Sequence, residues 1–274
     1  MIFASDLDRT LIYSKKLIDH VGEDIVLVER YNGKDLSFMK RTVIDKLGTM
    51  REKIMFIPVT TRTIDQYNRI FMIKDCIKPK YAVVSNGGNI LKNGEIDKDW
   101  RNIIEKKIER VIHYKFVQKR FLESFKDVSW INKMILRDKL FFSIHFNDRD
   151  KINLDELNKF KEWAEANHWN VSLQGRKLYI VPSAVNKWDA VLYIKQKERI
   201  DKVVSAGDSL LDYPILINAD YSMCASHGEL FKMIQDKIIN KEHIVLTNSM
   251  GIDASEEIVN NVVNLSGDSS WNNI

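Results

Sequence analysis

"FASDLDRTLI" (residues 3–12) starts apolar, is interrupted by Asp6 and Asp8, and turns apolar again at Leu11 and Ile12. In an extended chain, side chains at i and i+2 project to one face. Two carboxylates placed this way repel, so a fold that keeps them supplies a cation, a proton or open water. The segment reads as a short buried strand with acids at its carboxyl end.

Other stretches repeat the pattern of an apolar run closed by a polar or glycine turn. They are "IMFIPVTT" (54–61), "YAVVSNGG" (81–88), "KVVSAGDS" (202–209) and "YSMCAS" (221–226). Strands buried on both faces read as continuous apolar runs. Their alternation with helical patterns predicts an α/β fold with a mostly parallel sheet, in which ligands bind beyond the carboxyl ends of the strands.

Two regions depart from this pattern. Residues 25–39 place Asn32-Gly33 between alternating segments, a hairpin signal because both turn residues tolerate positive φ. This hairpin is expected to act as a flap beside the Asp pair. Residues 89–183 contain a helical stretch (101–126), a strand (140–146), a helix (154–167) and two strands (170–174 and 177–182) joined at Gly175-Arg176. That order predicts an α+β unit. The expected organisation is a core of residues 1–88 and 184–274 with residues 89–183 inserted as a cap, hinged at Gly87-Gly88 and near Pro182.

Bulk composition narrows the function classes. The chain has 274 residues, 45% of them hydrophobic, and a net charge of +4. Acids and bases alternate, so no basic stripe points to nucleic acid. The densest basic stretch, "EKKIERVIHYKFVQKR" (105–120), reads as an amphipathic helix with a solvated face. Cys76 and Cys224 are far apart, which argues against a disulfide scaffold or structural zinc; each is expected to be buried. No apolar run approaches a membrane span and no leader pattern is present, so a reducing cytoplasm is the expected setting. Disorder is expected only in the Asn/Ser-rich tail after Leu265.

The strand ends collect the chemistry. Asp6 and Asp8 close the first, Thr60, Thr61 and Arg62 the second, and Asn86-Gly87-Gly88 another. Asp208 closes the fourth, Asp212 follows within one helical turn, and Lys187 opens a helical pattern after the inserted unit. This set suits phosphoryl transfer. Magnesium takes oxygen ligands and keeps several waters, so the Asp6 and Asp208 carboxylates and the Asp8 carbonyl suffice. Asp6, ionised at an ordinary carboxylate pKa, can attack phosphorus. Asp8 can protonate the leaving alcohol and then deprotonate water, provided that it carries a proton at neutral pH. Thr60 and Lys187 can hold phosphoryl oxygens, aided by amides of the glycine turn. Thr61, Arg62, Asn86 and Gly87 are further candidates for binding phosphate or substrate, as is Arg9.

"DLDRT" (6–10), "VTTR" (59–62), Lys187 and "GDSLLD" (207–212) resemble the ordered motifs of the haloacid dehalogenase-like phosphohydrolases. "SNGG" (85–88) and the place of the insertion are similar to the branch capped after the second motif, which includes the Cof-type and sucrose-phosphatase-like enzymes. The resemblance covers nearly the whole chain. It implies a Rossmann-like doubly wound core with an inserted α+β cap, Mg²⁺, and hydrolysis of a small phosphate monoester through an aspartyl-phosphate. By position, it implies Asp6 as nucleophile, Asp8 as acid/base, Thr60 and Lys187 as phosphate ligands, Asp208 as metal ligand, and Asp212 as a further ligand or an orienting acid.

Three positions depart from the family pattern. Arg9 stands where glycine is usual, Thr61 replaces the glycine of "TGR", and Leu211 replaces a polar residue before the last acid. Taken singly, each motif has an ordinary explanation as a turn, a cap or a surface charge. Their joint order at strand ends favours the catalytic reading. Lys187 rests mainly on its position after the cap, with Lys177 and Lys195 as weaker candidates. A phosphomutase on the same scaffold, a receiver-type signalling module and a phospho-ligand-binding protein are the competing readings. The receiver is disfavoured by the Asp-x-Asp spacing and the insertion. His113, His145 and His168 show no metal-ligand spacing, and Trp163 and Trp169 are expected to fill the cap core. Phe141, His145, Arg176 and Tyr179 are candidates to face the active site, subject to a strand register that the sequence leaves open. Sequence features do not fix the leaving group or the oligomeric state.

Overall fold

The computed structural model describes residues 1–18, 24–174, 177–236 and 243–267. By contacts the chain divides into two units, Met1–Asp97 with Lys187–Ile274, and Lys98–Asn186. The expected change at 88/89 lies nine residues later because Asn89–Lys92 pairs antiparallel with Tyr81–Val84. Gly87-Gly88 therefore turns between two paired strands of the first unit.

In the first unit, five parallel strands lie in the order Ile244–Leu246, Tyr221–Cys224, Val203–Gly207, Ile2–Ser5, Met55–Pro58. A parallel bridge between Val59 and Val83 carries the pattern on to Tyr81–Val84. With that strand counted, Ile2–Ser5 shares the centre with Val203–Gly207; it is the central strand that opens the chain, buried at every position. Its partners lie in register on both sides, Ser5 opposite Ala206 and opposite Pro58. Alternation then assigns the two faces. Phe3, Phe56, Val204, Ala206 and Met223 pack with Val43 and Leu47 of helix Arg41–Thr49 and with Ile258, Val259 and Val262 of helix Ile252–Gly267. Helix Lys187–Glu198 packs on helix Tyr213–Asn218, which itself lies against Val203–Gly207. This is the Rossmann-like arrangement expected from the sequence.

The hairpin forms as Ile25–Tyr31 and Lys34–Lys40, and Tyr13–Ser14 adds a third strand. Asn32 and Gly33 take φ of 50° and 72°, the conformation that places this pair in a two-residue turn. Its ladder is irregular on both sides of Glu29.

The second unit is an antiparallel sheet, Trp169–Gln174, Lys177–Pro182, Phe141–Phe146, Ile131–Arg137, with helices Lys98–Ile108, Tyr114–Glu123 and Leu154–Ala166. Phe142, Ile144, Leu178 and Ile180 pack with Phe121, Trp130, Phe160 and Trp169 in its core, and Trp163 packs against that cluster. Ser143 lies opposite Tyr179, and His145 opposite Lys177. Phe141, His145 and Tyr179 thus share the face turned away from the core. Arg176 and the Gly175-Arg176 turn lie outside the described residues.

The helix expected over 101–126 is two helices, the second starting at the His113 cap, whose ring accepts from the Lys115 amide. The strands Ile131–Arg137 and Ile244–Leu246 are additions to the expected elements. Cys224 is buried, but Cys76 is exposed, on a helical turn whose buried positions are Ile73 and Ile77. Among the described residues no helix is long and apolar enough to cross a membrane.

Candidate active site

The central strand ends at Ser5, and the next residues bend sharply. The amides of Thr10, Leu11 and Ile12 all donate to the Leu7 carbonyl. Asp6 donates its amide to the Ala206 carbonyl, so it still belongs to the sheet edge. Its side chain is buried among other strand ends.

Lys187 opens its helix, fully buried, and reaches two carboxylates. Nζ donates to Asp6 Oδ1 at 2.7 Å and also to Asp212 Oδ1. Asp212 Oδ2 accepts from the Asp208 and Ser209 amides at 3.2 and 2.9 Å and from the Ser209 hydroxyl at 2.7 Å. Asp212 therefore ties Lys187 to the loop that carries Asp208. A Cβ on Gly207 would lie 2.4 Å from Asp212 Cβ, so the strand must end in glycine for this acid to fold back.

Carboxylate oxygens of Asp6, Asp208 and Asp212 all lie within 4.8 Å of one another. Burial is the largest influence on Asp6; with Asp212, Asp208 and Asp8 it raises the proton affinity well above the usual carboxylate range, against the pull of Lys187. This corrects the expectation that Asp6 ionises at an ordinary carboxylate pKa: burial among like charges opposes the ionised form. Burial and Asp212 likewise push Asp208 up to about 7, with Arg9 and Lys187 opposing. Three hard oxygen donors, two of them disfavoured as anions by burial and mutual repulsion, form a cluster able to hold a metal ion.

Arg9 adopts φ of 65°. This left-handed conformation is where glycine is normally preferred, so the family's glycine has a backbone reason. The arginine side chain turns back into the site. Its Nε donates to Asp208 Oδ2 at 2.9 Å and Nη2 to the His227 carbonyl at 2.8 Å. His227 Nδ1 accepts from the Gly251 amide, which leaves Nε2 to donate to the Arg9 carbonyl at 2.8 Å. Burial and the Arg9 charge hold His227 below the usual imidazole range, in keeping with this neutral tautomer. Tyr13 also donates to the Arg9 carbonyl, at 2.9 Å. Gly228 lets this loop pass close to Asp208, whose carbonyl oxygen would lie 2.2 Å from a Cβ at that position.

Asp8 is held by other partners. Its carboxylate is half-exposed and bound bidentately by Arg62, Nε to Oδ2 at 2.7 Å and Nη2 to Oδ1 at 2.8 Å. Arg62 also pairs with buried Glu29 at 2.9 Å. Burial disfavours the Arg62 charge, but the two carboxylates outweigh it and raise the proton affinity of the guanidinium. Thr60 is buried, with its amide on the Val83 carbonyl and its Oγ1 accepting from the Arg62 amide at 3.1 Å. The Thr60 carbonyl accepts from the Asn86 amide. Ser85, Asn86 and Gly87 have φ of 54°, 57° and 94°, a tight left-handed turn packed on the Thr60 strand end. Thr61 is half-buried beside them.

Of the predicted residues, Asp6, Lys187, Asp208 and Asp212 form one cluster, with Arg9 attached to it. Asp8 and Arg62 form a separate pair. Lys195 sits in the last turn of the Lys187 helix, and Lys177 lies on a strand of the second unit. Ser209, Glu29, His227 and Gly228 were missed. Ser209 had a signal, because "SLLD" is a capping-box spacing and both bonds of that box form here.

The sucrose-6F-phosphate phosphohydrolase family model matches residues 1–254. The chain belongs to that family. Solved structures agree on the fold. A sucrose-phosphatase from Synechocystis sp. PCC6803, in complex with sucrose and phosphate, superposes with a TM-score of 0.70 at 14% identity, covering 95% of this chain and 97% of that one. A haloacid dehalogenase subclass IIB sugar phosphatase gives 0.63 at 10% identity, with 97% and 98% covered. A haloacid dehalogenase-like hydrolase from Bacillus subtilis gives 0.56 at 13%, with 96% and 91% covered. No curated protein sequence matches the chain. Family and acidic cluster together identify a haloacid dehalogenase-type phosphatase, a phosphoric monoester hydrolase acting on a small phosphate ester through an aspartate nucleophile.

Proposed function

We propose that this family member hydrolyses a sugar phosphate in a Mg²⁺-dependent reaction, with sucrose 6F-phosphate as the first candidate substrate. The observation that carries the reading is the buried cluster of Asp6, Asp208 and Asp212 around the Lys187 ammonium. The substrate rests on the matching family model.

In this reading Asp6 Oδ attacks phosphorus, the bond to the sugar oxygen breaks, and the electron pair leaves with that oxygen. Asp8, protonated and with only the C=O oxygen of its carboxyl left on Arg62, gives the departing oxygen a proton. It then takes one from the water that cleaves the aspartyl-phosphate, releasing inorganic phosphate. Lys187, the Thr60 hydroxyl and the turn at Gly87 hold phosphoryl oxygens as charge spreads over them, with the Asn86 side chain as a further contact because its backbone amide is taken by the Thr60 carbonyl. Thr61 is a further phosphate contact. Asp6, Asp208 and the Asp8 carbonyl would hold Mg²⁺, which offsets the charge between an anionic nucleophile and an anionic ester. Asp212 orients, since its oxygens already carry Lys187 and the Asp208–Ser209 loop. Arg9 and Arg62 serve the acids rather than the phosphate, because each is bonded to a carboxylate.

The test is phosphate release from a panel of esters, including sucrose 6F-phosphate, with Mg²⁺ or with chelator, for wild type and Asp6→Asn. Mg²⁺-dependent turnover lost by at least about 10³-fold in the variant is expected. Undiminished turnover by Asp6→Asn would remove the nucleophile assignment, and a preference for esters other than sugar phosphates would remove the substrate assignment.

A further inference from the structure

Glu29 is a buried carboxylate, 1% exposed, that the chemistry above does not use. It sits on the first strand of the hairpin, and the ladder with Lys34–Lys40 shifts register on both sides of it. Such an irregularity re-aims a side chain, and bulges recur beside active sites. Three groups converge on this carboxylate. Arg62 Nη1 pairs at 2.9 Å, Arg69 Nε at 3.3 Å, and the Ser37 hydroxyl donates at 2.7 Å. Arg69 also lies over the Tyr31 ring, 4.3 Å from its centroid. Two guanidinium groups and two carboxylates, Asp8 and Glu29, form a chain of balanced charge from the hairpin to the loop after the central strand.

Arg62 is the middle of that chain. One edge grips both oxygens of Asp8, while Nη1 is held by Glu29. A guanidinium presents its donors in a rigid fork, so fixing one edge fixes the direction of the other. The Gln66 carbonyl at 3.5 Å and Ser37 Oγ at 3.4 Å are its other, longer contacts.

We propose that Glu29 is a positioning residue for proton transfer: by holding Nη1 it fixes the Arg62 fork, so that one oxygen of the protonated Asp8 carboxyl stays on Arg62 while its O–H is aimed at the leaving oxygen, and the carboxylate takes back both Arg62 donors once the proton is given. This rests on the reading of Asp8 as the acid/base. Without Glu29 the Arg62–Asp8 pair persists but swings as a unit, and the carboxyl loses its aim. The loss falls on esters whose leaving oxygen needs a proton. A nitrophenolate departs without one, so its transfer to Asp6 is spared.

The experiment compares kcat/KM, which reports steps through transfer to Asp6, for two leaving groups. One is the best alkyl phosphate of the panel above, sucrose 6F-phosphate if that assignment holds; the other is p-nitrophenyl phosphate. For Glu29→Gln the expected result is a fall of about ten-fold or more on the alkyl ester and less than about three-fold on the aryl ester. Inhibition by inorganic phosphate stays unchanged, and Glu29→Asp recovers part of the loss. Equal falls on both esters would show a merely structural role and overturn the proposal, as would no fall on either. If Glu29→Gln does not fold, Ser37→Ala, which removes the hydroxyl from Glu29, must show the same bias at smaller scale. Asp8→Asn separates the two claims. If it lowers both esters alike, the acid/base reading of Asp8 fails; if it is selective and Glu29→Gln is not, the positioning role of Glu29 fails.

Discussion

Asp6 and Asp8 are two residues apart, yet they occupy opposite kinds of surroundings. Asp6 is buried with two more carboxylates, met by the Lys187 ammonium and the Arg9 guanidinium, a set still short of positive charge. Asp8 is half-exposed and held by an arginine that is itself anchored by another acid, Glu29, which Arg69 also meets, a set already balanced. Side chains at i and i+2 of a regular strand would share one environment. The strand ends at Ser5, however, and the three amides turned onto the Leu7 carbonyl break the alternation. One short motif thereby delivers one acid to a site able to take a cation and another to a fixed hydrogen-bonding partner.

The sharpest way to break this contrast is to remove the ammonium. Lys187→Ala strips the buried Asp6 and Asp212 of the ammonium they share, leaving only Arg9 on Asp208, and losing one partner of a buried charged set costs about 3–5 kcal/mol. Urea unfolding in chelator is expected to show that loss, with Mg²⁺ restoring part of it. Unchanged stability in chelator would mean that Lys187 does not neutralise the cluster.

A smaller change sharpens the acidic side. Arg9→Gly removes the guanidinium from Asp208 and relieves a left-handed conformation. Calorimetric titration with Mg²⁺ is expected to give binding tighter by about ten-fold, the order of one close charge interaction. Equal affinity in both proteins would show that Arg9 does not compete for Asp208.

The smallest effect is a pH slope. An acid whose folded pKa is raised binds more protons folded than unfolded, so its contribution to stability is present below the unfolded value and fades as pH rises through the folded one. For Asp208 that window runs from about 4 to about 7. In chelator, the Tm of the wild type should fall across it, by about 2–4 °C for each kcal/mol, and Asp208→Asn should flatten the slope. A wild-type Tm that rises across the window would contradict the cluster's electrostatics.

The buried strands and their carboxyl ends were legible because strands covered on both faces read as plain apolar runs. The hairpin was legible because Asn32-Gly33 is a turn that few other pairs make. What escaped was of two kinds. Ile244–Leu246 is three residues long, too short for any periodicity, and the turn after Ile131–Arg137 uses Asp138 and Lys139 at positive φ without a glycine to mark it. The second kind concerns partners. Arg62 and Arg9 read as phosphate ligands because a cation at a strand end invites that reading. Their carboxylate partners lie 33 and 54 positions from Arg62 and 199 from Arg9, distances no local pattern spans. Glu29 was hidden further, because the bulge removes it from the alternation by which a buried strand residue is recognised.

The in-register ladder between Ile2–Ser5 and Val203–Gly207 has one more consequence. Neighbouring strands stand about 4.8 Å apart, fixed by the backbone hydrogen bonds. Asp6 and Asp208 hang from the ends of those two strands, so the ladder works as a ruler for the gap between their carboxylates. A slip of one residue would turn every following side chain to the opposite face. A slipped sheet would carry the two acids apart and set a side chain where only Gly207 fits, so the site would be lost with the registry. Activity per mole of folded protein therefore reports strand registry as well as folding.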